Sequence, residues 1–203
     1  MLIDHWHAGR GQEALSDRSW NQVLLQDASW ATLFPAADFD AVAANWVRLA
    51  QQHGAKPSLI VTWARDGHNP MYRAVPIFNG NRDLMQGVVT RRYADTAERL
   101  GVDTVPVGPA WRLAWDRDDL PDLFHPDGNH STPTSQWLTA LTIYHYLCEA
   151  PGAPPFEVLP SSLAPHAETL WQAARAARDR EALSIANRSE IDAIALSETK
   201  ALQ

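Results

Sequence analysis

Short apolar runs that alternate with helical segments constrain the fold of this chain most strongly. Residues 22–26 and 58–63 are apolar runs of strand length, and a third short run follows at residues 104–107. Between the first two runs, apolar residues recur at three- and four-residue spacing as far as Gly54, and residues 83–100 form a second helical segment. Strands that alternate with helices favour right-handed crossovers and a parallel sheet. The sequence therefore predicts an α/β fold.

The second half of the chain contains a long loop and further helices. The loop spans residues 112–132, and an almost entirely apolar helix is predicted after Pro133. Several prolines follow, and a last helical segment begins near His166. We predict an α/β domain over residues 1–150, followed by a Pro-rich connector and a helical segment over residues 151–203.

Composition excludes several classes of protein. Of the 203 residues, 45% are hydrophobic and 20% are charged, which is typical of a globular chain. No run approaches the roughly 20 apolar residues that cross a bilayer, so no membrane span is predicted. The net charge is −7 and no Lys/Arg cluster occurs, which argues against nucleic-acid binding. The single cysteine excludes an internal disulfide and a cysteine-based zinc site.

The segment His125–Pro133 carries the strongest chemical signal. Asp127 and His130 are three residues apart on a loop that leads into a helix. At that spacing a carboxylate can accept from one imidazole nitrogen and leave the other available as a general base. Two alternatives remain open. The pair can serve only as a turn and cap, or His125, Asp127 and His130 can bind zinc, although no fourth ligand is evident.

Polar residues also follow the predicted strands. Gln26 and Ser29 follow the first strand, Trp63 and the segment Arg65–His68 follow the second, and Gly108 follows the third. In open parallel sheets, ligands bind beyond the carboxyl ends of the strands. We therefore expect a site at this edge of the sheet.

These segments together resemble the SGNH/GDSL hydrolases, from residue 2 to residue 148. The resemblance is closest to a branch with a Leu-Gln-x-x-Ser block, here at residues 25–29, and an Asp-Gly-x-His-x-Ser block. The segment Asp127–Ser131 corresponds to the second block, with its serine directly after the histidine. It implies a three-layer α/β/α sandwich with a parallel sheet of flavodoxin-like type. The implied activity is hydrolysis of esters, often acyl groups on carbohydrates, by a serine nucleophile without metal or cofactor. The expected partner is therefore a small-molecule or carbohydrate ester.

The resemblance also implies individual roles. His130 is the expected general base, Asp127 orients it, and Gln26 takes the place of an oxyanion-hole Asn. Ser29 and Trp63 are expected to contribute to substrate binding.

One block of the family pattern is absent. No Gly-Asp-Ser sequence occurs. In the family that block is followed by a second strand and an oxyanion-hole glycine, and Leu2-x-x-His5-Trp6 resembles the segment just after that glycine. The resemblance therefore implies that the first strands and the nucleophilic serine lie upstream of Met1. Ser29 and Ser131 are weak substitutes, because neither lies on a predicted strand-to-helix elbow.

The missing block bears on the activity of the chain, on its compartment and on the edge of its sheet. The chain is either part of an active esterase or a catalytically inactive relative that binds ligands. An N-terminus without a signal-peptide pattern fits a cytoplasmic protein, or a secreted one if upstream residues are missing. Strand 22–26 would become an exposed edge, which favours self-association.

Overall fold

The computed structural model describes residues 1–33, 36–148, 152–154 and 156–181. It contains α-helices, short 3-10 turns and one parallel sheet. In chain order the elements are α1 (Leu2–Ala8), α2 (Arg10–Asp17), β1 (Gln22–Leu25), α3 (Ala36–Gln52), β2 (Lys56–Ile60), α4 (Met71–Ala74), α5 (Arg82–Leu100), β3 (Asp103–Val105), α6 (Val107–Ala114), α7 (Pro133–Leu147) and α8 (Ala167–Glu181).

The sheet has three parallel strands in the order β1-β2-β3. Leu24 lies opposite Ser58, and Leu59 lies opposite Thr104. The predicted α/β class with a parallel sheet is therefore confirmed. Within the described residues β1 pairs with β2 alone and forms one edge of the sheet. Self-association through residues 22–26 stays a prediction.

The chain divides into two compact units. Unit 1 comprises Met1–Thr62 and Val89–Val105, and unit 2 comprises Trp63–Val88 and Pro106–Gln203. Unit 1 holds the sheet, and unit 2 holds the predicted Asp127–His130 pair. The predicted boundary at residue 150 stays a prediction.

Helix α3 supplies much of the core of unit 1. Its apolar face packs against β1 and β2, and Trp46 on that face is 4% exposed. The Trp46 indole N–H donates to the Leu2 carbonyl oxygen at 3.1 Å, and its ring contacts Trp6 edge to face. Burial of this face, rather than helix propensity, stabilises α3 in its place.

Helices α6, α7 and α8 pack against one another in unit 2. Trp111, Leu138 and Leu170 are fully buried there. Leu159, Leu163 and Ala167 form a smaller apolar cluster with Trp137 and Phe156 partly covering it. None of the helices within the described ranges is long and apolar enough to cross a membrane.

Three short helices differ from the sequence-based expectation. The two glycines at residues 9 and 11 favour a loop. In the structure only Gly9, with φ +77°, is outside a helix, and it separates α1 from α2. Gly11 lies inside α2, where a Cβ would clash with the Trp46 ring. The third strand ends at Val105 instead of Val107, because Pro106 has no N–H to donate to the sheet and α6 begins directly after it.

Candidate active site

The loop between Phe124 and Ser131 forms a tight turn that presents Asp127. Phe124 and Ser131 form an antiparallel bridge, and the His125 N–H donates to the His130 carbonyl oxygen at 2.8 Å. The Gly128 N–H donates to the His125 carbonyl oxygen at 2.8 Å, which closes the turn. We call residues 125–130 the dyad loop.

Asp127 and His130 contact each other directly within this loop. Nδ1 of His130 lies 2.5 Å from Oδ2 of Asp127. Oδ1 of Asp127 accepts from the backbone N–H groups of Asn129 and His130, at 2.8 and 2.9 Å. These three hydrogen bonds hold the pKa of the Asp127 carboxyl well below its usual range. The carboxylate is therefore ionised at neutral pH and fixes the imidazole.

The other nitrogen of His130 is available for chemistry. The imidazole is 74% exposed, and Nε2 makes no hydrogen bond to any part of the chain that the structure describes. A neutral imidazole that donates from Nδ1 to a carboxylate carries its lone pair on Nε2. The arrangement can therefore accept a proton from a substrate or nucleophile that approaches Nε2.

His125 approaches the same carboxylate oxygen as His130, and the two histidines and Asp127 do not surround a common point where a metal ion could bind. Its Nδ1 is 3.4 Å from Oδ2 of Asp127, the oxygen that His130 also approaches. Across the described residues, no group of three or more His, Cys, Asp or Glu side chains is placed to hold a metal ion. The geometry does not support the zinc alternative.

The dyad loop is docked on the segment after β2 by backbone and side-chain hydrogen bonds. The Asp66 N–H donates to the Gly128 carbonyl oxygen at 2.9 Å, and the Asn69 side-chain amide donates to the Asp127 carbonyl oxygen at 2.8 Å. The indole N–H of Trp63 donates to the Asn129 carbonyl oxygen at 3.0 Å. Trp63 therefore supports the loop directly.

Trp63 also forms part of an aromatic cluster beneath the loop. Its ring stacks on Trp111 with centroids 4.2 Å apart and an interplanar angle of 4°. Trp111 in turn meets Phe124 edge to face at 5.3 Å. The apolar cluster fixes the base of the dyad loop, and Trp63 itself is partly exposed.

A second His–Asp contact supports the same loop. Nδ1 of His68 lies 2.6 Å from Oδ1 of Asp66, and Nε2 lies 3.3 Å from the Pro126 carbonyl oxygen. The Pro126 carbonyl and the Asp66 carboxylate both raise the pKa of His68. The other oxygen of Asp66 accepts from Arg82 at 2.9 Å. Both nitrogens of His68 are engaged, so its role here is to hold the loop.

Gly128 has a conformation and surroundings that disfavour a side chain. Its φ is +66°, and a Cβ there would lie 3.1 Å from Nε2 of His68 and 3.3 Å from the Cβ atoms of Asp66 and Asn69. Gly101 has a similar φ of +64°, but a Cβ there would meet nothing within 4 Å. The two positions share the backbone conformation and differ in crowding.

We expect Gly128→Ala to destabilise the protein more than Gly101→Ala. Each alanine adds about 1–2 kcal/mol of left-handed backbone strain, and crowding at residue 128 adds about 1 kcal/mol or more. Urea unfolding of both variants measures the difference in the free energy of unfolding. Equal losses in the two variants would contradict the close docking of the dyad loop.

Gln26 and Ser29 lie in unit 1, at and after the carboxyl end of β1. The Gln26 side-chain amide donates to Oγ1 of Thr62 at 3.2 Å, and Gln26 lines a cavity of about 490 Å³ beside β1. Ser29 is buried at 6% exposure in a short 3-10 turn. The oxyanion and substrate-binding roles of these two residues stay predictions.

The contact between Asp127 and His130 was expected from the sequence, but the contacts that hold the dyad loop were not. His68, Asn69 and Arg82 carry no recognisable motif, and their contacts with the dyad loop and with Asp66 become visible only after folding. One signal is present in the sequence, because the polar segment Arg65–His68 begins five residues after the end of β2 at Ile60. In a parallel sheet that position already indicates residues near a site.

Comparisons with known proteins identify structural relatives. No protein-family model and no curated protein matches the chain. A solved DUF4886 family protein from Bacteroides uniformis ATCC 8492 is similar, with a TM-score of 0.64 and 20% sequence identity. The match covers 82% of this chain and 65% of that protein, so the chain spans less than two thirds of this relative's length.

A second solved structure, a candidate SGNH hydrolase from Slackia heliotrinireducens, is also similar. Its TM-score is 0.61 at 22% sequence identity, and the match covers 74% of this chain and 79% of that protein. At this level of identity the likeness concerns the fold. The chain is therefore similar in fold to this candidate SGNH hydrolase, in agreement with the fold that the sequence resemblance implies.

Proposed function

We propose that this chain provides the acid–base half of a serine ester hydrolase, with His130 as general base and Asp127 as the residue that orients it. The observation that supports the proposal is the 2.5 Å contact between Nδ1 of His130 and Oδ2 of Asp127, with Nε2 of His130 exposed and unengaged in the described residues. The SGNH-like fold favours the same chemistry. The expected substrates are small-molecule esters, including acyl groups on carbohydrates.

The proposed reaction has two half-reactions. Nε2 of His130 accepts the proton of a serine hydroxyl while the serine oxygen bonds to the ester carbonyl carbon. The tetrahedral intermediate then breaks its bond to the alcohol oxygen, and that oxygen takes the proton from His130. Water repeats the sequence on the acyl-serine and releases the carboxylic acid. Asp127 stays ionised throughout and stabilises the imidazolium.

The proposal places the nucleophilic serine outside this sequence. Ser131 adjoins His130, but its hydroxyl accepts from the Gln136 side chain at 3.4 Å. In the part of the chain that the structure describes, no serine hydroxyl bonds to His130. A serine supplied from outside these residues would have to approach the exposed Nε2.

An esterase assay tests this proposal directly. We expect this chain alone to leave 4-nitrophenyl acetate and acetylated sugars intact, and a form extended by the residues encoded upstream to hydrolyse at least one of them. His130→Gln in the extended form should lower kcat/KM by about 10²- to 10⁴-fold. His53→Gln, at an exposed position, is the matched control and should leave kcat/KM unchanged.

Two outcomes would overturn the proposal. Turnover by the short chain would show that its own residues supply the nucleophile. An extended form that hydrolyses no ester and reacts with no serine-directed phosphonate would favour the inactive, ligand-binding alternative.

A further inference from the structure

Arg65 is a partly buried arginine that lacks an ion-pair partner among the described residues. Its Nε atom is buried and makes no hydrogen bond there. Three other described arginines are also partly buried, and each of them makes an ion pair: Arg82 with Asp66, Arg91 with Asp95 and Arg92 with Asp40. Arg65 therefore differs from the other partly buried arginines of the described residues, because it makes no ion pair there.

The environment of Arg65 leaves its positive charge incompletely balanced. Burial lowers the pKa of the Arg65 guanidinium, and the negative charge of Asp127 offsets this effect only in part. A guanidinium carries five N–H donors and no acceptor, so a buried donor without a partner is unfavourable. The terminal N–H₂ groups of Arg65 also make no hydrogen bond in the described residues and are not shielded from solvent, so they can donate to a ligand oxygen.

The position of Arg65 places it beside the dyad loop. Trp63 and Arg65 are both partly exposed, whereas Ala64 between them is buried with its N–H bonded to Gln86. Such alternation indicates that the two side chains share one side of the extended segment. Trp63 donates to Asn129 on that side, and the N–H of Asp66, the residue after Arg65, donates to Gly128 of the dyad loop.

The neighbouring carboxylates already have partners. Asp127 accepts from the imidazole and the backbone N–H of His130, and Asp66 accepts from His68 and Arg82. Neither carboxylate makes a hydrogen bond to Arg65 in the described structure. The guanidinium N–H groups of Arg65 thus remain available to donate to a ligand at this site.

We propose that Arg65 binds an oxyanion carried by the ligand of this site, so that the ester hydrolysed beside His130 bears a carboxylate or phosphate group. The oxyanion site follows from the geometry of Arg65, while its assignment to an ester substrate rests on the proposed function. The planar guanidinium matches either group, because two parallel N–H donors face two oxygens. Arg65 would therefore determine specificity for anionic over neutral substrates.

The first experiment measures oxyanion binding to this 203-residue chain and needs no catalysis. Acetate and inorganic phosphate are titrated separately at constant ionic strength, and the Arg Nε–H and Trp63 indole N–H signals are followed by ¹H–¹⁵N NMR. We expect a saturable shift of the Arg65 Nε–H signal with at least one anion. The anion with the lower Kd identifies the ligand group, a carboxylate if it is acetate and a phosphate if it is inorganic phosphate.

Matched variants assign the binding to this side chain. Arg65→Gln should weaken binding by about tenfold or more, as followed at Trp63, because it removes both the charge and the fork of donors. Arg65→Lys keeps the charge and should bind with intermediate affinity, which separates loss of binding from loss of folding. Arg117→Gln, at an exposed position paired with Asp119, should bind like the wild type.

The second experiment uses the form that hydrolyses esters. The ratio of kcat/KM for an anionic ester to that for its neutral analogue should fall by about tenfold in Arg65→Gln. The inference is overturned if the wild type shows no saturable binding of either anion, or if Arg65→Gln binds as tightly as the wild type. Binding without any ester hydrolysis would instead contradict the proposed function and retain the oxyanion site.

Discussion

The Asp127→Asn variant is expected to hydrolyse esters about 10³- to 10⁴-fold more slowly than the wild type, in the form that carries a nucleophilic serine. The asparagine oxygen can still accept from the backbone N–H groups of Asn129 and His130, so the loop keeps its shape. Its amide N–H₂ faces Nδ1 of His130, where the carboxylate accepted a hydrogen bond. The imidazole then carries its proton on Nε2 and cannot act as a base.

The same substitution should change the response of stability to pH. Asp127 has a lowered pKa in the folded protein, so its stabilising effect is complete above the unfolded value of about 4. It is lost as the pH falls through the lower folded value. The difference in the free energy of unfolding between wild type and Asp127→Asn should therefore be constant above about pH 4 and shrink below it.

Kinetics and urea unfolding over a pH series measure both effects. Asp118→Asn is the matched control, because Asp118 is exposed on the loop after α6 and should alter neither quantity. Retention of kcat/KM by Asp127→Asn within a few-fold of the wild type would contradict the role assigned to the dyad.

Trp111→Ala is expected to destabilise the protein by about 3–5 kcal/mol. Trp111 is completely buried, stacks on Trp63 and contacts Phe124 at its edge. Its indole N–H also donates to Oγ1 of Thr139 at 3.1 Å. The substitution would leave a large cavity under the dyad loop and an unpaired hydroxyl in α7, and both are unfavourable.

Urea unfolding measures this loss against two reference variants. Trp111→Phe keeps most of the buried ring and should cost clearly less than Trp111→Ala. Trp30→Ala removes an indole that is 37% exposed and should also cost less. A loss below about 1 kcal/mol for Trp111→Ala would be typical of a surface site and would contradict the packing described here.

The long elements of the fold could be predicted because their signals are local. Helices α3, α5, α7 and α8 extend over 15 to 19 residues, and each was expected within a few residues of its observed bounds. Helices α1, α2 and α6 have seven or eight residues and were missed. Helices this short are marginal by themselves, and packing against the rest of the unit stabilises them.

The candidate site divides in the same way. Asp127 and His130 are three residues apart, so their contact follows from local loop geometry that the sequence displays. The contacts of His68 and Asn69 with the dyad loop join residues 58 positions apart, and no pattern in the sequence predicts them.

The sequence by itself determined the α/β class, the long helices and the pairing of His130 with Asp127, because each depends on residues close together in the chain. Tertiary structure decided that His68 holds the dyad loop, that a side chain at Gly128 would be crowded, and that Arg65, whose neighbour Asp66 bonds to that loop, makes no ion pair in the described residues. Those features depend on which distant segments pack together and on which charges packing leaves unbalanced.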